Sequence, residues 1–203
     1  MKKSRLIHWM AILLPIVLMV ISQEAIRTQS TTEPIIAKQK QIMYKTQPDG
    51  SKVLMHQRSG AFYRSSSGAT MNTIEAHSTL IDDRGNIYEI NHNSKFAKLI
   101  ETGAPPFHEL VKRNGQVNVK GYETVNGFEC AVRSILVNGE PGGKEYLYIP
   151  YGLLVKTEWT TDGGSHWMVR ELYDIQIAEP DPASVQIPEG YAIVNDKPVE
   201  EHH

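Results

Sequence analysis

GLLVKTEWTTDGGSHWMVRELYDIQI, residues 152–177, decides the fold. On either side of its TTDGGSH turn the side chains alternate with a period of two. Leu153, Val155 and Trp159 fall on one face of the first segment, with Lys156 and Glu158 on the other. In the second, Trp167, Val169, Tyr173, Ile175 and Ile177 share a face opposite Arg170, Asp174 and Gln176, and only Glu171 interrupts the set. Period two sustained over this length is incompatible with a helix, whose faces repeat every three to four residues. The two segments are therefore expected to pair as an antiparallel hairpin, with their apolar faces merging into one continuous surface. Leu153, Val155, Trp159, Trp167, Val169 and Tyr173 form the candidate apolar ligand face; a plain core strand pair is the competing reading of the same residues. A curved sheet with few helices has more inward apolar surface than its own side chains fill, and so can hold an elongated hydrophobic ligand.

The pattern extends outward from this hairpin. Turn signals recur at PDG (48–50), RSG (58–60), DDRGN (82–86), VNG (125–127), NGEPGG (138–143) and TDGG (161–164), separated by short segments rich in Val, Ile, Tyr and Thr. Such spacing indicates antiparallel β-structure built from hairpins. FECAVRSILV (128–137) places Phe128, Cys130, Val132 and Leu136 on one side of a strand. One helix is expected, at APPFHELVKRNG (104–115): Pro105 and Pro106 suit a first turn, Lys112 and Arg113 a last turn, and Gly115 the left-handed position just beyond. Near the end of the chain, DPASVQIPEGY (181–191) carries prolines that cannot donate to a sheet ladder. It is expected to close the sheet, with Val185 tucked against it and Tyr191 to Val194 running as a last edge strand.

The chain start has a different composition. Lys2, Lys3 and Arg5 precede an unbroken apolar run from Trp9 to Ile21. That run is shorter than the roughly 20 residues of a membrane-spanning helix, and Pro15 interrupts it. It has the form of a secretory signal. Residues 1–25 are assigned as signal peptide or N-terminal anchor, 26–34 as linker, 35–196 as the β domain and 197–203 as a disordered tail. The expected location is periplasmic or otherwise extracytoplasmic, and membrane-tethered where the N-terminal segment stays uncleaved. Cleavage near Ser22 removes three basic residues and no acidic ones, leaving 18 Lys+Arg against 23 Asp+Glu, a net charge of −5. Mild acidity disfavours nucleic acid as a partner. With Cys130 the sole cysteine, no internal disulfide forms, and packing alone must hold the domain.

Catalytic and metal patterns are weak throughout. GGSHW (163–167) sets a serine beside a histidine, but a nucleophile elbow needs a strand-to-helix turn and Trp167 continues into a strand. IDDRGNIYEI (81–90) lacks the alternating oxygen ligands and distal Glu of a calcium loop, and suits a hairpin turn instead. His56, His77, His92, His108 and His166 show no metal spacing. Cys130 lies on an apolar strand face with no nearby histidine, as an inert buried thiol does. No cofactor, no metal and no catalytic residue is expected.

Three stretches carry a family resemblance. GYETVNGFECAVRSI (121–135), EYLYIPYGLLVKTEW (145–159) and VRELYDIQIAEPDPASVQIPEGYAIV (169–194) resemble, in that order, exported bacterial proteins of the LolA-like superfamily, in a branch without assigned function. Val185 stands where an aromatic is usual, and PYGLL (150–154) replaces the commoner Leu-Pro ending. The resemblance implies a mainly β fold: a strongly curved antiparallel sheet forming an incomplete β-barrel, with one or two short helices on the concave side. Better-understood branches carry lipoproteins, bind lipids or sense envelope stress. The expected function is thus a non-enzymatic extracytoplasmic binding protein for a lipid, acyl chain or lipoprotein. The alternative is an envelope regulatory or stress-sensing module with a filled core and an envelope protein partner. A continuous pocket above about 300 Å³ favours the first, and a filled interior the second.

Overall fold

The computed structural model describes residues 32–137, 139–160 and 162–195. The proposed signal (1–25) and tail (197–203) lie outside the described residues, as does most of the linker.

Among the described residues turn chemistry and alternation produce twelve strands: β1 Ile35–Thr46, β2 Lys52–Arg64, β3 Thr70–Ile74, β4 His77–Ile81, β5 Ile87–Asn91, β6 Phe96–Glu101, β7 Val119–Val125, β8 Phe128–Val137, β9 Glu140–Tyr148, β10 Leu153–Trp159, β11 His166–Gln176 and β12 Ala192–Asn195. They form one sheet in the order β12-β6-β5-β4-β3-β2-β1-β11-β10-β9-β8-β7, not closed into a barrel. Two meanders, β1 to β6 and β7 to β11, meet where β1 pairs with β11. Among the described residues one α-helix, α1 (Phe107–Asn114), connects the meanders, and two short 3₁₀ turns occupy Ile149–Tyr151 and Pro182–Val185. The mainly β, antiparallel, open-barrel architecture expected from the sequence is the one observed.

Two glycine-bearing stretches differ from expectation. RSG is no turn: Gly60 lies inside β2, where a Cβ would sit 1.8 Å from the Thr73 carbonyl oxygen of the neighbouring strand. Within NGEPGG, β9 already begins at Glu140, and a Cβ on Gly143 would meet the Glu158 carbonyl oxygen at 2.0 Å. Both glycines serve close backbone approach rather than chain reversal. DDRGN does turn the chain: Asp82 Oδ1 accepts from the Arg84 and Asn86 backbone N–H groups at 2.9 and 2.8 Å, and Asn86 Nδ2 donates to Asp82 Oδ2. Those bonds occupy the carboxylate that a calcium loop would have used.

The segment after β11 crosses the sheet to its far edge. Asp181 accepts from the Ala183 N–H at 2.9 Å, starting the 3₁₀ turn. Val185, Ile187 and Tyr191 then pack on Met71, Leu80, Ile90 and Ala97 of β3 to β6. Beyond them β12 joins β6 in parallel as an edge strand. Tyr191 Oη and His92 Nδ1 are 3.0 Å apart, His92 Nε2 lies 2.7 Å from Ser78 Oγ, and Ser78 Oγ is 2.8 Å from Thr73 Oγ1. This polar chain fastens the strap to the strands beneath it.

Helix α1 is seated by contacts that its own sequence does not provide. Its N-cap is Pro106, which offers no side-chain cap, and Gly115 has a right-handed φ of −63° instead of the left-handed one expected. Space is tight at Gly115: a Cβ there would come 2.3 Å from the Val111 carbonyl oxygen, which cannot move, and 2.1 Å from Ile149 Cδ1, which can. His108 and Val111 are buried. At Gly152, φ is +57° and a Cβ would lie 2.2 Å from the His108 carbonyl oxygen. Two requirements therefore fall on Gly152, a left-handed backbone and no side chain.

Gly152→Ala should destabilise the fold by roughly 3 kcal/mol, from left-handed strain plus the clash with α1. Denaturant unfolding checks this, and unchanged stability would refute the seating of α1 on Gly152. His108 also predicts a pH dependence. Burial, then the Arg64 charge and more weakly Lys112, lower its pKa, while Glu109 opposes them. In the unfolded chain it titrates near the ordinary 6.5. As pH falls through that value the unfolded chain takes up the proton first, so acidification costs stability. Between about pH 7.5 and 5, melting temperature should fall further for the wild type than for His108→Gln, whereas parallel curves would show that His108 is not the group responsible.

Candidate functional site

The sheet face that α1 covers is set by strand register. Arg64 pairs with Ile35 and Thr70, Phe62 with Ala37 and Asn72, Gln39 with Gly60 and Leu172, and Arg170 with Gln41 and Thr157. Residues paired across strands share a face, so these side chains line one continuous surface. The sheet curves enough that Ile81 of β4 and Val155 of β10, five strands apart in the order, border the same cavity.

That cavity has a volume of about 290 Å³ and lies between the start of α1 and the sheet. Phe62, Ile81, Phe107, Leu153, Leu154, Val155 and Leu172 supply its apolar wall. Gln39, Asn72, Thr79, Thr157, Arg64, Arg170 and His108 supply polar atoms. Gln39 is fixed: its Nε2 donates to Asn72 Oδ1 at 2.8 Å. A second, wider cavity of about 490 Å³ adjoins it and shares Asn72, Thr79 and Arg170. Its lining is mostly polar, with Gln41, Arg58, His77, Glu89 and Asn91 among its residues.

The two arginines of the narrow cavity are its most unusual groups. Arg64 is 2% exposed; its Nε donates to the Glu33 carbonyl oxygen at 2.9 Å and Nη1 to that of Gly152 at 3.2 Å. Its Nη2 is buried without any partner. Burial lowers its pKa to about 10, against the pull of Glu33. Arg170 Nε is likewise buried without a partner, and burial lowers its pKa as well. Among the described residues, the Arg170 side chain forms no hydrogen bond or ion pair.

The six residues of the candidate apolar face do not come together. Trp159 pairs with Met168 and Glu158 with Val169, so Trp159 shares its face with Met168 and Arg170, while Trp167, Val169 and Tyr173 point to the other side. The hairpin register sends the two tryptophans to opposite faces. Leu153 and Val155 line the narrow cavity, and Trp159 follows them on the same side of β10. Trp167 donates to the Gly164 carbonyl oxygen at 3.1 Å and carries Lys52 4.2 Å over its ring. Tyr173 lies beneath Lys40. The alternation of β11 also breaks at Asp174, whose φ of +51° makes a bulge, so Ile175 packs with the Leu172 side rather than with Tyr173.

Groups that suggested chemistry are engaged elsewhere. Asp162, not Ser165, holds His166, with Oδ2 2.6 Å from Nδ1. Cys130 is fully buried, and burial lifts its thiol pKa to about 11. Sequence reasoning missed the Ser78–His92–Tyr191 chain, since nothing local links positions 78, 92 and 191. Ser78 is 5% exposed and its hydroxyl is shared with Thr73, which fits a fastening and not a nucleophile. Arg64 was also missed, because an arginine at a strand end gives no sequence sign of burial.

The sequence matches no family model and no curated protein. Its fold is similar to that of several solved structures. An uncharacterised conserved protein from Thermus thermophilus has 7% identity and a TM-score of 0.46, over 78% of this chain and 90% of that one. A LolA superfamily protein from Nitrosomonas europaea has 11% identity and a TM-score of 0.36, over 76% and 91%. MucB, known from Pseudomonas aeruginosa in complex with MucA, has 12% identity and a TM-score of 0.41. That likeness covers 82% of this chain but only 61% of MucB. At such identities the likeness concerns the course of the chain and transfers no ligand or partner.

Proposed function

We propose that this protein is a non-enzymatic, extracytoplasmic binding protein that takes a lipid, an acyl chain or the acylated end of a lipoprotein into the cavity beneath α1. One observation carries the reading: the interior between helix and sheet is not filled by the protein's own side chains. The cavity of about 290 Å³ shares Asn72, Thr79 and Arg170 with one of about 490 Å³, and together they exceed the roughly 300 Å³ at which small-molecule sites begin. Its apolar wall comes from Phe62, Ile81, Phe107 and the Leu153–Val155 run, a surface suited to a hydrocarbon chain and offering no nucleophile. The extracytoplasmic setting rests on the basic and apolar pattern of residues 1–21.

A second reading, an envelope protein partner, is supported by the sheet edge. β7 (Val119–Val125) is the last strand of the order and exposes Tyr122. An open edge of this kind can accept an added strand from another chain.

Thr157 projects into the narrow cavity from β10, opposite Arg170. Thr157→Trp should fill it, lowering affinity for a fluorescent acyl probe by about tenfold or more while leaving the melting temperature within a few degrees. Native mass spectrometry of the wild type from an envelope fraction should show added lipid mass that Thr157→Trp lacks. Equal probe binding by both proteins, or no retained lipid in either, would count against the cavity and leave the edge-strand reading.

A further inference from the structure

Arg170 stands at the join of the two cavities, lining both the narrow, apolar-walled one and the wide, polar one. Arg64 lines the narrow cavity from the opposite meander. Two guanidinium groups therefore border the same small space, and each holds a buried N–H atom that meets no acceptor. An arginine cannot shed its charge at physiological pH. A buried cation without a counter-anion costs several kcal/mol, and buried donors are nearly always satisfied. The Coulombic influence of Glu33 on Arg64 compensates only in part, since Glu33 is exposed and gives Arg64 its backbone carbonyl rather than its carboxylate. Glu89 lines the wide cavity and not the narrow one. Arg58, also in the wide cavity, is already matched by Glu75 at 3.5 Å.

We infer that the ligand is an anionic amphiphile: one hydrocarbon tail against the Phe62, Ile81 and Leu153–Val155 wall, and a carboxylate or phosphate headgroup on Arg170 and Arg64. This rests on the binding reading above and adds the sign and place of the headgroup. The arrangement meets both halves of such a molecule. The narrow cavity has room for one chain, and Arg170 marks the point where apolar lining gives way to polar. A planar guanidinium satisfies a carboxylate or phosphate through parallel N–H donors, which makes Arg a stronger recognition group here than a lysine. His108, kept neutral by burial and by Arg64, adds no competing charge to the tail region.

The test uses the purified mature chain and four twelve-carbon probes: dodecanoate, dodecyl phosphate, dodecanol and dodecyltrimethylammonium, each titrated calorimetrically below its micelle concentration. Dodecanoate or dodecyl phosphate should bind about tenfold or more tighter than dodecanol, as a charge-assisted pair implies, and the cationic probe should be weakest. Preference between the two anions separates a fatty-acid source from a phospholipid or phosphorylated-glycolipid one. Arg170→Gln should cost the two anions about tenfold more affinity than it costs dodecanol, so that the preference for an anionic headgroup is lost. Arg64→Gln is expected to lower the melting temperature, because Arg64 also ties chain segments together, so the Arg170 variant is decisive. Equal affinity for dodecanol and dodecanoate overturns the headgroup inference while the binding reading stands. An Arg170→Gln protein that binds dodecanoate as the wild type does overturns it too. If no probe binds at all, the binding reading falls and this inference with it.

Discussion

The structure depends on one buried guanidinium. Arg64 ends β2, and its donors reach the backbone just before β1 through Glu33 and the backbone before β10 through Gly152. Glu33 belongs to the start of the first meander and Gly152 to the second, so a single side chain adds a buried link between two halves that also meet along the β1–β11 ladder and beneath the strap. Gly152 then passes the constraint on: its missing Cβ is what lets α1 lie with the His108 backbone against it. Replacing Arg64 would free two carbonyl oxygens in a region with little access to water, and a buried acceptor without a donor costs about 1–3 kcal/mol. No disulfide is present to hold these segments instead, since the chain has a single cysteine.

From this anchor the use of the two sheet faces follows. A single sheet of this size must bury surface on both sides, and each side has a different cover. On one, the strap from Asp181 to Tyr191 fills the hollow over β3 to β6 with Val185, Ile187 and Tyr191, leaving a sealed core around Met71, Leu80, Ile90 and Ala97. On the other, eight helical residues cover a much wider curved surface and cannot fill it. The cavity exists because a short helix was set, by Gly115 and Gly152, close to Ile149 and β10 and not out over β3 and β4.

Strand positions were legible from the sequence because alternation and turn residues are local signals. Most turns fell where Asp, Asn and Gly clustered, and β8 spans the Phe128–Val137 segment expected of it. What failed was also local in origin. Gly60 and Gly143 carried a turn signature, yet their role is to admit a neighbouring strand, which only the pairing reveals. The inward side of β11 was inverted for a similar reason. Trp167, Val169 and Tyr173 form the more apolar face, but the register with β10 and β1 puts Met168, Arg170 and Leu172 on the sheet face that holds the cavity, which Arg170 and Leu172 line. Lys52 and Lys40 lie over the Trp167 and Tyr173 rings on the far side, so long aliphatic stems cover aromatic surface that the sequence pattern alone assigns to the interior.

Arg170 sharpens that inversion into a question of chemistry. At a position between Val169 and Glu171 on an inner strand face, a methionine or leucine would bury well, and exchanging a poorly compensated buried charge for an apolar side chain is commonly neutral or stabilising. Packing therefore gives no reason for a guanidinium there. Gln39 shows how the same surface treats a polar group whose role is structural: it is nearly inaccessible and bonded to Asn72 and to the Thr73 carbonyl. Arg170 has the opposite character, half-buried, charged and unmatched, at the border of two cavities. A group that costs stability and has no partner inside the fold calls for a partner from outside it, and an anion attached to a hydrocarbon meets both the cation and the apolar wall beside it.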